Sequence, residues 1–413
     1  MLGTALLTGP VGCAILFLMI TALLFLSALF WNLLGGFLLL NVGYLLFFAV
    51  AGHRRLPVLP PAVGAPRRLC VLMPAYRADA VILETAPLAV RHEYAGRADV
   101  QVVADGLLPA TVQALRQTGA GVVEVAFAKS TKGQALRAAL AALSPLAYDV
   151  AVILDVDNVM AAGFLTKVNA AFAAGYRVVQ GHRTARNLDS PFDVLDACNE
   201  EINNHIFRQG HASLGMSAAL IGSGMAFEYG YLRQLLHSIG DTAGEDKELD
   251  FRTLKDRNTI AYLPQAYVYD EKIPNAQVFA TQRSRWLATQ QEFLLKYFGE
   301  GLRQLGRGNV DFVDKILQSM LLPRILLLGT LAALLGVSLL ARVGPGPSFW
   351  LALLAGTGAA LLLALPAHLY TRQVGRAVLH LPVALVAMLL ALLQIKKSQS
   401  SFRPTPHTAS ITK

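Results

Sequence analysis

The chain has 413 residues, 54% of them hydrophobic and only 15% charged, with a formal net charge of +9. No basic-aromatic stripe accompanies that charge, so it does not argue for a nucleic-acid partner. Three scattered cysteines, Cys13, Cys70 and Cys198, lack metal-ligand spacing and exclude a zinc ribbon or a disulfide scaffold. The apolar excess is concentrated in two blocks, residues 1–52 and most of 317–395, around a segment of ordinary soluble composition. That pattern predicts a water-soluble domain held between membrane segments.

The first block, 1–52, contains no Lys, Arg, Asp or Glu. It is too long for a signal peptide and lacks a basic start. Two spans are expected, about Val11 to Phe30 and Leu33 to Ala51, with Asn32, Gly35 and Gly36 in the turn. One long tilted helix is the alternative. His53, Arg54, Arg55, Arg67 and Arg68 follow, placing the next segment in the cytoplasm.

From Arg68 onward, short apolar runs alternate with helical stretches. "LCVLMPAY" reads as a strand breaking at Pro74; "ADVQVVADG", "GVVEVAFA", "YDVAVILDVDN" and "YRVVQGH" read as further strands. "QALRAALAAL" and "FLTKVNAAFAAG" read as helices. The alternation predicts an α/β domain with a parallel sheet covered by helices on both faces. Such a crevice usually takes a nucleotide or a nucleotide-linked substrate. No glycine-rich dinucleotide fingerprint or phosphate loop follows the first strand.

"AVILDVDN" ends a buried strand in two aspartates, Asp155 and Asp157, at i and i+2. Extended backbone would send both carboxylates to one side of the crevice rim. Hard oxygen ligands there suit Mg²⁺ or Mn²⁺ shared with phosphates. A helix cap beside a solvated acid fits the same residues. "GEDKELD", 244–250, reads as a helix start whose acids favour the N-terminal dipole, or as the source of a general base. "TQRSRWLATQ", 281–290, lies in an amphipathic pattern of Val278, Phe279, Trp286, Leu287, Phe293, Leu294, Tyr297 and Phe298, expected at the membrane surface. Arg283 and Arg285 read as interfacial cations, with Arg285 alternatively a phosphate-binding fork. Trp286 reads as core, interface anchor or sugar platform.

Residues 317–340 and 349–370 are each long enough to span, with "RVGPGPS" as the turn between them. Arg372 and Arg376 mark the return to the cytoplasm. "LPVALVAMLLALLQI", ending at Lys396 and Lys397, is short for a span and reads as an interfacial helix before a cytoplasmic tail. A third crossing would put the tail outside.

Together, Asp105 at a strand end, "DVD", "GED" and "QRSRW" occur in the order of the signatures of membrane-embedded family-2 glycosyltransferases. That group includes the synthases of cellulose, chitin, hyaluronan and poly-N-acetylglucosamine, and the chain resembles it from Arg68 to about Phe298. The resemblance implies a GT-A-type nucleotide-sugar-binding domain, mostly parallel in its sheet, flanked by transmembrane helices. Its expected layout is membrane region 1–52, cytoplasmic GT-A domain 66–272, interfacial helices 273–316, two transmembrane helices in 317–370, an interfacial or short membrane helix in 378–397, and tail 398–413.

By resemblance, Asp246 is the general base and Asp157, with Asp155 nearby, holds Mg²⁺ or Mn²⁺. Ala75, Tyr76, Asp105, Lys132, Asp155, Gln282 and Arg285 are expected around the donor nucleotide and diphosphate. Glu245, Trp286, Gly222, Ser223 and Gly224 are expected on the acceptor side. "FRPTPHT" is similar to the family's gating segment, bringing Phe402, Thr405 and His407 over the donor nucleotide. The activity implied is metal-dependent, inverting transfer of a hexosyl or N-acetylhexosaminyl group from a nucleotide donor, UDP foremost. The acceptor implied is a glycan or glycolipid at the cytoplasmic face of a bacterial inner membrane. A processive polysaccharide synthase is the leading form, with a homo-oligomer or secretion partner completing a channel; single addition to a lipid-linked glycan is the alternative. A silent sugar-nucleotide sensor is disfavoured by intact Asp157, Asp246 and Arg285. A transporter is disfavoured by membrane blocks whose polar residues are few, chiefly Asn32, Asn41, Arg324 and His368. Two departures bear on the nucleotide: "PAYRA" carries Arg77 and Ala78 where many family members have Asn and Glu, and "ADG" carries Ala104 where many have an acid.

Overall fold

A computed structural model describes residues 10–393 except 241, 243, 273–275 and 342. In chain order its elements are α1 Pro10–Ala51, β1 Leu69–Tyr76, α2 Asp79–Val90, β2 Ala98–Asp105, α3 Pro109–Gln117 and β3 Gly121–Val125. Then come α4 Lys132–Ala142, β4 Val150–Ile153, β5 Val159–Met160, α5 Phe164–Ala173, β6 Val178–Ala185 and α6 Pro191–Asn204. A π-helical turn, His205–Gly210, leads to β7 Met225–Glu228, α7 Tyr229–His237, α8 Glu245–Lys255 and β8 Ile260–Asp270. The chain closes with α9 Ala276–Gly306, α10 Val310–Met320, α11 Arg324–Ala341, α12 Pro347–Ala364, α13 Arg372–Val378 and α14 Leu381–Leu393.

Two compact units form: one from the chain up to Phe47 with Leu322–Leu362, the other from Phe48–Leu321 with the chain from Leu363 on. In the first, α1 is one uninterrupted helix, so the expected turn at Asn32, Gly35 and Gly36 is absent. Glycine alone does not break an apolar helix whose backbone groups have no solvent to turn to. Gly35 instead lies in the helix facing Phe349, whose ring carbon would stand 3.4 Å from a Cβ there, an ordinary contact distance. Gly344, at φ +72°, admits the Trp31 ring, and Trp31 meets Trp350 edge to face at 6.4 Å. Asn41 is buried but satisfied: its Nδ2 donates to Phe37 O, and its Oδ1 accepts from Leu322 N at 2.8 Å. Among the described residues three helices are long and apolar enough to cross a membrane: Phe17–Ala51, Arg324–Ala341 and Pro347–Ala364.

The second unit is built on an eight-stranded sheet in the order β3-β2-β1-β4-β7-β6-β8-β5. The first four strands are parallel, β7 runs antiparallel to both β4 and β6, β6 and β8 are parallel, and β5 is antiparallel to β8. Side chains alternate between two cores. Cys70, Leu72 and Val103 face α4, α7 and α8 on one side; Leu69, Val71 and Met73 face α2 and α5 on the other. β1 does not break at Pro74, which stays in register with Val103. The ladder to β4 stops at Leu72, whose carbonyl accepts from Leu154 N at 3.0 Å, so the missing N–H of Pro74 costs no sheet bond.

The amphipathic α9 has two apolar stripes. Phe293 and Tyr297 are buried with Phe251 and Phe312 in the core of this unit, Tyr297 stacking on Phe251 at 4.4 Å. Leu295, Phe298, Leu302 and Leu305 form the exposed stripe. α13 packs on α6, and α14 packs on α9 through one face while Val383, Val386, Leu389 and Leu390 stay exposed. α13 and α14 are bent by 46° at their junction.

Candidate active site

The "DVD" pair sits in a turn. β4 ends at Ile153, and Asn158 N closes onto Asp155 O at 3.1 Å. The extended geometry expected of Asp155 and Asp157 is therefore replaced by a bend that gives each its own partners. The Asp155 backbone N–H donates to Ser223 Oγ at 3.0 Å and Asn158 Oδ1 at 3.2 Å. Asp157 is buried, accepting from Asn158 Nδ2 and from Glu271 N, each at 3.2 Å.

Lys132 opens α4, whose cap is the Thr131 hydroxyl accepting from Gln134 N. Its ammonium donates to Asp155 Oδ1 and, at 2.6 Å, to Gly222 O. Burial disfavours that charge, but Asp155 and Glu245 outweigh burial and raise its pKa. Gly222 (φ +84°) and Gly224 (φ +60°) need left-handed backbone, which glycine adopts freely. Gln180 fixes this loop, donating to Ser223 O at 3.0 Å and accepting from Ile221 N at 3.1 Å. A Cβ on Gly222 would stand 3.6 Å from Asp246 Cβ, so the loop also meets "GED".

Glu245 and Asp246 form the first turn of α8, as the helix-start reading expects. Glu245 is buried; burial pushes its pKa up to about 7, against the pull of Lys132 and with the push of Asp246. Gly244 lets α9 cross this helix start, since a Cβ there would come within 2.6 Å of Thr289. On α9, Gln282 has a buried Oε1 without a hydrogen-bond partner, Arg285 is partly buried, and Trp286 is exposed. Arg283 is not an interfacial cation. It is buried, pairs with Asp196 of α6 at 2.6 Å, and lies 4.3 Å from the Trp286 ring centroid.

At the ends of β1 and β2, Ala75 is buried and Tyr76 is the register partner of Asp105. Asp105 is 4% exposed, and its Oδ2 has no hydrogen-bond partner. Thr405, His407 and Phe402 lie outside the described residues.

A charged cluster that motif reading missed adjoins Asp155 and Asp157. Arg183 on β6 reaches Glu200 (2.8 Å), Asp270 (3.3 Å) and Asp155 (4.0 Å), and Lys272 pairs with Asp270 at 2.7 Å. Burial pushes Asp270 up to about 6 despite Lys272 and Arg183, with the Asp157 charge adding to the rise. Glu200 resists the same burial because Arg183, Lys272 and Arg208 hold it below the usual carboxylate range. The available signal was "VYDEK", a second apolar run ending in an acid.

Among the described residues no group of three or more His, Cys, Asp or Glu is arranged to hold a metal ion. Asp155 and Asp157 do supply hard oxygens at a strand end next to an ammonium. That donor set fits a Mg²⁺- or Mn²⁺-type cation completed by water and diphosphate, and does not fit a closed all-protein metal cage.

Three comparisons bear on this geometry. The profile of glycosyltransferase-like family 2 matches residues 66–289. No curated protein matches the chain. Among solved structures, the mannosyltransferase of Pyrobaculum calidifontis, in complex with GDP-Man and Mn²⁺, is similar at 19% identity and TM-score 0.53. That match covers 87% of this chain and 97% of the other. Glucosyl-3-phosphoglycerate synthase of Mycobacterium tuberculosis, in complex with Mn²⁺, UDP and phosphoglyceric acid, matches at 19% identity and TM-score 0.36, over 64% of this chain and 88% of the other. With its GT-A-like α/β domain and a family match spanning both aspartate motifs and "QRSRW", the chain belongs to glycosyltransferase-like family 2.

Proposed function

We propose that the protein transfers a sugar, with inversion, from a UDP-linked donor to a hydroxyl of a glycan or lipid-linked glycan at the cytoplasmic face of a membrane. The observation that carries this reading is the meeting of "DVD", Lys132 and "GED" around the Gly222–Gly224 loop. The site divides by role. Asp155, Asp157 and Lys132 lie on the donor side, Asp246 on the acceptor side. Asp246 accepts the proton of the acceptor hydroxyl as its oxygen bonds to the anomeric carbon and the bond to the diphosphate breaks. Lys132, Gln282 and Arg285 orient the departing diphosphate and offset its charge. A Mg²⁺ or Mn²⁺ ion held by Asp157, with Asp155 beside it, supplies Lewis-acid stabilisation of that leaving group when bound. Trp286, exposed beside this clamp, offers a ring face to the acceptor sugar. The mannosyltransferase neighbour's Mn²⁺ agrees with this use of the carboxylates.

A processive synthase remains the leading form because "QRSRW" is present whole; addition of a single sugar to a lipid-linked acceptor is the second reading, favoured by three candidate spans among the described residues. The packing of α13 and α14 on α6 and α9 supports an interfacial helix over a further crossing. Calorimetry of UDP binding with Mn²⁺ to the full chain in detergent tests the donor side. Wild type should bind UDP in a metal-dependent way and Asp157→Ala should lose that dependence. Equal binding by both removes Asp157 from the metal role.

A further inference from the structure

Arg77 occupies an uncommon conformation, φ +48°, for a residue with a side chain. Strained backbone of this kind persists where the surroundings over-determine it, and clusters at ligand clamps. Its backbone N–H donates to Asp105 O at 3.0 Å. Its guanidinium carbon lies 5.2 Å from the Tyr76 ring centroid, and its side chain crosses Gly106, where a Cβ would stand 3.2 Å from Arg77 Cγ. The residue is exposed and makes no ion pair among the described residues. Tyr76 and Asp105 are register partners on neighbouring parallel strands. By alternation with Cys70, Leu72 and Val103, both side chains leave the same face of the sheet.

A buried carboxylate oxygen lacking a donor is costly and calls for a partner. Beside it stand an aromatic face and a five-donor fork that has no acid of its own. We propose that Arg77 is a specificity-determining residue for the donor base, an inference that rests on the donor-site reading above. Asp105 Oδ2 accepts from a ring imide N–H, and Arg77 donates to a carbonyl oxygen flanking that N–H, with the base stacked on Tyr76. Uracil meets this arrangement whichever face it stacks, because carbonyls flank its N–H on both sides. Cytosine puts an unprotonated ring nitrogen at that place, facing the carboxylate. It regains complementarity only by sliding its amine onto Asp105, in one orientation.

UDP and CDP differ at this edge and hardly in size, so the test compares their binding with Mn²⁺ to the full chain in detergent, by calorimetry. Wild type should prefer UDP by about tenfold or more, as expected of a good bidentate discrimination. Arg77→Asn tolerates the left-handed backbone and should keep the wild-type melting temperature. It should weaken UDP about tenfold and leave CDP within about threefold, narrowing the preference. Asp105→Asn, which adds a donor, should shift the preference towards CDP. Equal affinities in wild type, or a UDP affinity unchanged in Arg77→Asn, overturn the role of Arg77 and leave the transferase reading standing. If neither nucleotide binds, the donor site itself fails, and this inference with it.

Discussion

Lys132 donates from one ammonium to the Asp155 carboxylate and to the Gly222 carbonyl, tying the end of β4 to the loop that precedes β7. The lysine thereby holds the Asp155 carboxylate and the Gly222–Gly224 loop in one arrangement. Lys132→Met removes both bonds and a cation that faces Glu245 and Asp246 as well. Hydrogen bonds to charged groups contribute about 1.5–3 kcal/mol, so UDP affinity should fall roughly 10- to 100-fold by calorimetry. An unchanged affinity would remove the lysine from the donor site.

Gly222 should resist substitution for a backbone reason. At φ +84° a Cβ is strained whatever the space, and here it would also contact Asp246. Gly222→Ala should lower stability by about 1–2 kcal/mol and reduce turnover. Gly222→Asn, which visits this region more readily, should lose less of both. Melting temperature and nucleotide release in the same preparation check the pair; equal losses for Ala and Asn would contradict the backbone argument.

Glu248 predicts the sign of acid sensitivity where α8 meets α9. Burial alone would raise its pKa, but Lys296 (2.6 Å), Arg252 (2.7 Å) and the Tyr297 hydroxyl (2.8 Å) donate to it and hold it below the ordinary value. A depressed carboxylate stabilises the fold above its unfolded pKa of about 4.3, and that contribution is lost as pH falls through the lower folded value. Glu248→Gln should therefore be less stable at neutral pH and show a shallower decline on acidification. Parallel melting curves for variant and wild type would contradict this.

Arg283 separates a buried from a surface role. As an interfacial cation its loss would change stability by about 0.5 kcal/mol or less. Paired with Asp196 and 8% exposed, it should cost about 3–5 kcal/mol on conversion to alanine, because Asp196 is left charged and unpaired. Denaturant titration of Arg283→Ala and of the double variant with Asp196→Asn distinguishes the two, the second change restoring part of the loss.

Much of the fold was legible because its signals are local. The apolar runs of β1, β2, β4 and β6 ended near their expected residues, and "DVD", "GED" and "QRSRW" fell on a turn, a helix start and a long helix. What escaped depends on distant pairing. Arg183 meets Asp270 because β6 and β8 run side by side, and Arg283 meets Asp196 across 87 residues; neither partner is marked in its own neighbourhood. The antiparallel β7, Met225–Glu228, escaped because a four-residue run directly after the Gly222–Gly224 loop carries too little alternation to mark a strand. The continuity of α1 through Gly35 and Gly36 was ambiguous because glycine in an apolar helix can serve close packing as well as a turn.

In the proposed reaction Asp246 takes the acceptor proton at a nucleotide-sugar site. The most direct test offers the full chain in detergent Mn²⁺ and a panel of nucleotide sugars and measures release of the nucleoside diphosphate. One donor should be turned over by wild type, and Asp246→Asn should bind UDP as wild type does while its turnover falls by about 10²- to 10⁴-fold. Turnover by Asp246→Asn at the wild-type rate would remove Asp246 from the role of base, and no consumption of any nucleotide sugar by wild type would rule out the proposed transfer.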